Sequence, residues 1–311
     1  MRHKALRQLA HHPKREVKKA SAVKGLMAML IASGFFSVMS VSVYLGSQLS
    51  EPVDSLVMSF IRVSVNLALL LLPALILRKT GLLWGDMRGS LWLRGLFGGV
   101  SLILSFASIQ RIGPGESSFL TATSGVFVLA LSPAFLGQKN AWYDWLAILG
   151  ALLGLFFLLE PQMNTPDLPG RLLGVASGFI AALAYLMIAR AGQTNPSRSI
   201  VFYFSFVAFL LHLLWFMLDP RSIPIGRDAW ALALLTGLSG SLAQAFMTRA
   251  YQLAPAALVS AVGYCVPVIN LGLSVWLLDK VPNDQALLGC LLILITGIGL
   301  PFLSAGKKRF G

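Results

Sequence analysis

Runs of about 20 mostly apolar residues recur along this chain, at 25–46, 55–77, 91–110, 117–136, 141–160, 171–190, 199–218, 229–250, 256–278 and 285–304. A helix rises about 1.5 Å per residue, so roughly 20 residues cross the hydrocarbon core of a bilayer. Ten such runs use nearly all of the 311 residues and leave no room for a soluble domain. The residue content agrees, since 56% hydrophobic and 12% charged residues are incompatible with an ordinary soluble protein. The chain reads as an all-α polytopic membrane protein with ten transmembrane helices.

The net charge of +13 raises nucleic acid as a partner, but its distribution argues against that. If the N-terminus is cytoplasmic and the spans alternate, the inside segments hold most of the Lys and Arg, including Lys18, Lys19, Arg78, Lys79, Arg88, Arg94, Lys139, Arg190 and Lys307. Most acids fall outside, among them Glu51, Asp54, Glu116, Glu160, Asp167, Asp219 and Asp284. Basic loops stay cytoplasmic, so both termini are expected inside a bacterial inner membrane. The basic tails at 1–24 and 306–311 then suit contact with anionic lipid. The first apolar run is long for a signal peptide and reads as an uncleaved helix. Cys265 and Cys290 lie inside predicted spans, far from any metal-ligand spacing, so no metal or cofactor is expected.

The stretch RAYQLAPAALVSAVGYCVPVINLGLSVWLLDK, residues 249–280, has a weaker copy at 110–139, QRIGPGESSFLTATSGVFVLALSPAFLGQK. An offset of 141 lays Ile112-Gly113-Pro114 on Leu253-Ala254-Pro255. The later copy carries Pro267, which removes a backbone donor and obstructs the Gly263 carbonyl, so a kink is predicted there. The earlier copy has Val126 at that position. The three prolines in the segment 160–170 mark a joint between two halves.

Polar residues inside the spans are few. Ser33, Ser37, Ser40 and Tyr44 lie at helical steps on one face of the first span, serving either helix packing or a cavity wall. Arg62 sits about two turns inside the second span, where a charge pairs, snorkels or meets a cavity. Thr123, Tyr185, Gln244, Tyr264 and Asn270 fall near the middle of later spans. The seventh span is bulky all round and reads as a peripheral helix facing lipid. Its His212 is either a proton carrier or a hydrogen-bonded histidine at a helix contact. The paired Gly95/Gly99 and Gly150/Gly154 mark close helix contacts.

The RAYQLAPA start, the proline-kinked middle, the LLDKVP end and the following QALLGCLLILITGIGL resemble the C-terminal EamA repeat of the drug/metabolite transporter superfamily. SFIR in the second span and GPGESSFL opening the fourth resemble the N-terminal repeat. The resemblance covers residues 22–305 and implies two five-helix repeats of opposite orientation, at 25–160 and 171–305, joined by an outside linker at 161–170. Two departures stand out: Gln138 and Asp279 replace the Glu that commonly ends the fourth and ninth helices.

The resemblance implies a secondary transporter, read here as an exporter, moving a small polar or amphipathic metabolite by alternating access. Ser37, Tyr44, Arg62, Thr123, Tyr185, Gln244, Tyr264 and Asn270 are the candidate cavity residues, Pro267 the gating kink, and His212 and Glu116 the proton-linked candidates. A flippase for a larger amphipathic substrate is the alternative. An embedded enzyme would need a catalytic constellation that the sequence does not display.

Overall fold

The computed structural model describes residues 19–112, 114–159, 167–222, 226–278, 283–299 and 302. The tail at 1–18, the linker residues 160–166 and the tail at 306–311 lie outside the described residues. Among those described, every regular element is a helix. In chain order they are α1 (Lys19–Ser47), α2 (Ser55–Ile76), the short α3 (Gly81–Trp84), α4 (Gly89–Ile112), α5 (Pro114–Ala122), α6 (Ser124–Leu136) and α7 (Trp142–Leu159). The second half contains α8 (Leu168–Ala191), α9 (Ser197–Leu218), α10 (Arg227–Leu253), α11 (Ala256–Gly263), α12 (Cys265–Leu278) and α13 (Asp284–Leu292). A π-helical stretch, Ile293–Gly299, continues α13.

Among the described residues, eight stretches are long and apolar enough to cross a membrane, and shorter apolar helices at Trp142–Leu158 and Asp284–Gly299 occupy the fifth and tenth positions. The fourth predicted span is the pair α5 and α6, and the ninth is α11 and α12. Residues 19–24, read from sequence as tail, are helix, because Ala22 and Leu26 have apolar surface to bury.

The helix pairing has an inverted two-fold pattern. The first span packs on the eighth (α1 on α10), and the third on the sixth (α4 on α8). In the same way α6 packs on α8 while α12 packs on α1, and α4 packs on α9 while α2 packs on α10. An odd number of spans per half produces this relation, since the second half enters the bilayer from the other side. The fold is therefore a ten-helix bundle of two inverted five-helix halves.

Small residues set the closest approaches, as expected where lipid gives helices no hydrophobic reason to associate. A Cβ on Gly154 would stand 2.8 Å from the Gly289 carbonyl oxygen, and one on Gly150 would stand 2.6 Å from Thr296. On the other side of the bundle, a Cβ on Gly95 would stand 2.6 Å from the Tyr203 carbonyl oxygen. That approach corrects the expectation of a peripheral seventh span. The half of α9 from Ser199 to Ser205 is buried against α4, while its later turns, with Leu213, Leu214, Met217 and Leu218, are exposed.

The acids at the helix starts have a local role. Asp54 accepts from the backbone amides of Leu56 (2.8 Å) and Val57 (3.3 Å), and Asp167 accepts from Gly170 (3.0 Å). Asn283 caps α13 through the Ala286 amide at 2.8 Å. These are N-caps satisfying donors that a helix start leaves free. They explain part of the acid enrichment on one side, hereafter the acidic side; the opposite one is the basic side.

The tight glycine contact makes a prediction. Gly154→Leu overpacks α7 against α13, at a cost of about 1–3 kcal/mol, and should lower the thermal unfolding temperature in detergent. Gly34→Ala, where a Cβ meets nothing within 4 Å, should leave it unchanged or slightly raised.

Candidate functional site

The two broken spans define the centre. The break in the ninth falls at Tyr264, between α11 and α12, and the break in the fourth falls at Thr123, between α5 and α6. These positions differ by 141, the same offset that aligns the two copies. In the ninth span the break follows from Pro267, which has no amide to offer the Gly263 carbonyl. The fourth has no proline there and breaks all the same. Its Thr123 hydroxyl turns back to the Leu120 carbonyl at 2.6 Å, and the Thr123 carbonyl takes both the Val126 and Phe127 amides, at 2.9 and 3.2 Å. A proline is thus sufficient for this break but not required, which corrects the expectation that only the second copy is kinked.

Because the Val126 amide goes to Thr123, the Ala122 carbonyl loses its usual helical partner. The Tyr264 hydroxyl donates to it at 2.7 Å. A Cβ on Gly125 would stand 2.7 Å from that hydroxyl, so the absent side chain makes room for the ring. The two breaks are tied directly to each other across the halves. A carbonyl freed within a membrane needs such a partner.

A second group of residues lies nearer the basic side. Arg62 of α2 and Arg94 of α4 are 7% and 2% exposed, and both stand over the ring of Phe204 in α9, at 6.0 and 4.4 Å from its centroid. Neither forms an ion pair among the described residues, and Arg94 Nε is buried without a hydrogen-bond partner. Tyr185 is close enough to interact electrostatically with both guanidinium groups, and Tyr251 with that of Arg94. The two tyrosine rings stack at 5.3 Å and 16°. An isolated buried ion costs several kcal/mol even after the protein relaxes, so this pair is an expensive feature.

Neither arginine snorkels. Side chains on a helix normally lean toward its N-terminus, which for α4 is the basic side. Arg94 runs the opposite way, and a Cβ on Gly98 would fall on its Nη1. For Arg62, the contact of Gly237 with Val65 sets the register between α10 and α2, yet Arg62 Nε lies 2.9 Å from where a Gly240 Cβ would be. It has reached more than a turn deeper along α10 than its own backbone position. One turn beyond Gly240, the buried Gln244 leaves Nε2 without an acceptor.

The remaining sequence candidates are spread more widely. Ser37 is fully buried at the contact of α1 with α12, donating to Ser33 at 2.9 Å and reaching the Val266 carbonyl at 3.2 Å. Tyr44 is 39% exposed near the acidic end of α1. Asn270 keeps its Oδ1 unbonded in α12. His212 is buried, with Nδ1 2.7 Å from the Ala208 carbonyl and Nε2 3.0 Å from the Ser59 hydroxyl. The carbonyl can only accept, so Nδ1 holds the proton and Nε2 accepts from Ser59. Both ring nitrogens are satisfied in the neutral form, as at a helix contact. The Glu116 side chain lies outside the described residues. Among those described, no group of His, Cys, Asp or Glu could hold a metal, and both cysteines are free.

Sequence reasoning counted Arg94 only among the inside charges at the start of the third span, and missed Phe204 and Tyr251. Arg94 stands five residues, about 8 Å, into α4, beyond Trp92. The signal lay in Gly98, one turn on, which opens a space for the guanidinium to enter.

A cavity of about 500 Å³ opens at the basic side, lined by Arg88, Ser90, Leu93, Arg190, Gln193 and Thr194 among others. Nearby, Asp86 accepts from the Thr194 hydroxyl at 2.7 Å and from Asn195 Nδ2 at 2.9 Å, joining the halves. Burial opposes ionisation of Asp86, but hydrogen bonds from Thr194, Asn195 and the Arg88 amide outweigh it and hold the carboxyl below its usual range. At the acidic side, Arg111 holds Asp167 low through a 2.9 Å ion pair.

An inverted-repeat helical bundle with broken helices at its centre is the architecture of a membrane carrier, and comparison with known proteins agrees. Residues 23–160 and 168–300 each match the EamA-like transporter family, and the chain belongs to that family. It is 28% identical over 279 residues to the pseudopaline exporter CntI of Pseudomonas aeruginosa, covering 89% of this chain and 95% of that one. An uncharacterized transporter of Helicobacter pylori is 26% identical over 293 residues, with 92% and 97% covered. The riboflavin transporter of Vibrio cholerae is 28% identical over 178 residues, covering 57% of this chain and 59% of that one. A crystal structure with 18% identity superposes with a TM-score of 0.76 over 94% of this chain and the whole of the other, which shows the same fold.

Two predictions follow from this geometry. Tyr264→Phe strands the Ala122 carbonyl and should destabilise the protein by about 1–3 kcal/mol, read as a lower unfolding temperature. For Asp86 and Asp167 the folded-state pKa lies below the unfolded one. Their stabilisation is present above about pH 4 and is lost as the pH falls through the folded value. Acid titration of the unfolding temperature should therefore show a decline below about pH 4 that Asp86→Asn makes shallower.

Proposed function

We propose that this chain is a secondary transporter that exports a small polar or amphipathic metabolite across a bacterial inner membrane by alternating access. The observation that carries this reading is the pair of helices broken at symmetry-related positions and tied break to break between the inverted halves. Such a pair supplies a pivot about which two halves can rock. Outward movement is supported by the likeness to a protein named an exporter, and the excess of Lys and Arg on one side supports cytoplasmic termini. Comparing metabolites inside and outside cells with and without the gene tests it directly. A compound that builds up inside the deficient cells is expected, and depletion inside them would reverse the direction.

Proton coupling through His212 is not part of this reading, because both of its ring nitrogens are already engaged. Uptake into proteoliposomes should respond to an imposed pH gradient equally in the wild type and in His212→Gln. A response lost in the variant would restore the histidine as a proton carrier.

The second half is the one held in its bent form by a residue without an amide. Pro267→Ala returns a donor to the Gly263 carbonyl and should slow transport severalfold, while Val126→Ala should change it little. Equal effects on initial rates would show that the two breaks contribute alike.

A further inference from the structure

We infer that the substrate carries an oxyanion, a carboxylate or phosphate, and that Arg62 and Arg94 bind it against Phe204. This rests on the transporter reading and adds the substrate class. Two guanidinium groups that share one ring, both buried and without a carboxylate partner among the described residues, are a charge arrangement lacking its counter-ion. The free groups nearby have the right polarity. Arg94 Nε and Gln244 Nε2 are both donors, and both are buried without an acceptor. Guanidinium forks match carboxylate and phosphate oxygens with paired hydrogen bonds, whereas a neutral or cationic substrate would leave the two positive charges uncompensated. Each side chain also extends toward the other instead of toward the nearer boundary, which a merely tolerated arginine would seek.

On the basic side, Arg190 and Arg88, the latter ion-paired with Asp86 at 3.2 Å, line the cavity of about 500 Å³. The stacked Tyr185 and Tyr251 beside the arginines offer ring faces to the rest of an organic anion.

The same oxyanion chemistry could come from the headgroup of an anionic phospholipid, so the test separates the two. Full-length protein in nanodiscs of phosphatidylcholine is heated with inorganic phosphate and, separately, with an equal ionic strength of sodium chloride. Phosphate should raise the unfolding temperature of the wild type, with at least a tenfold weaker response in Arg62→Gln and Arg94→Gln and a partial response in Arg94→Lys. No phosphate-specific shift, or one that the Gln variants keep, overturns the site. If phosphatidylglycerol nanodiscs give the arginine-dependent shift and abolish that of phosphate, the occupant is a lipid headgroup and the inference fails.

The transport arm uses inside-out vesicles supplied with small molecules from a cell extract, separated by an anion exchanger into retained and unretained fractions. Gene-dependent accumulation should come from the retained fraction and fall at least tenfold in each Gln variant. Accumulation from the unretained fraction alone leaves the transporter reading intact and overturns this inference. Phosphate binding without any accumulation would preserve the anion site and remove the transporter reading. Should a Gln variant fail to fold, Arg94→Lys and Phe204→Leu keep the charge and still alter the fork or the ring beneath it. Unaltered phosphate affinity in both would overturn the site.

Discussion

The hydrogen bond from the Tyr264 hydroxyl to the Ala122 carbonyl joins the symmetry-related breaks of the fourth and ninth spans. Inside a bilayer a backbone carbonyl released from its ladder has no water to turn to, and its desolvation is uncompensated unless the protein supplies a donor. Each half breaks one helix at the same pseudo-symmetric position, so each break must be satisfied locally or by the other half. Thr123 does part of this within its own chain segment, by bonding back to Leu120. Tyr264 does the rest across the interface, and Gly125 is bare so that its ring can arrive. The packing of the central helices therefore depends on a donor in one half meeting an acceptor in the other.

Much of the architecture was legible in the sequence because its causes are local. Ten apolar runs are a composition signal, and the duplicated segment is visible as an offset. The Gly150/Gly154 spacing announces a close approach whatever the partner is. The partner itself, Gly289, was not legible, since it depends on which helices the inverted fold brings together. Pro267 announced one break. The other break was hidden, because threonine is found both inside helices and at their ends and signals neither strongly. The bulk of α9 suggested lipid on all sides, and only the glycines of α4 reveal that half of it is core.

The site was less legible for a related reason. Arg62 drew notice because it interrupts an apolar run, while Arg94 sits close enough to the end of its run to be counted among the inside charges. What distinguishes it is direction. A side chain five residues inside a helix can reach either the boundary or the centre, and Gly98 rather than Arg94 decides which. The aromatic partners carry no signal of their own, since Phe204 and Tyr251 read as ordinary hydrophobic residues until their neighbours are charged. His212 shows the converse: a titratable residue in a membrane span attracts a functional reading, yet two good hydrogen bonds account for it.

The backbone symmetry and the chemistry of the arginine site do not coincide. Under the offset of 141, Arg62 and Arg94 fall on Tyr203 and Leu235, so neither charge has a counterpart in the second half. Conversely, Phe204, Tyr185 and Tyr251 all belong to the second half, as do Gly240 and Gln244. Charge therefore comes from one half, and the rings and the amide from the other. A group bound between them makes contacts on both sides of the interface about which inverted halves rock. Any movement that separates the halves changes those contacts, and a ligand shifts a conformational equilibrium only by its difference in affinity between the two states. A site confined to one half would move as a rigid body and supply no such difference. Placing the arginines opposite their rings gives occupancy a direct energetic influence on which way the carrier faces, through the same interface that Tyr264 holds together.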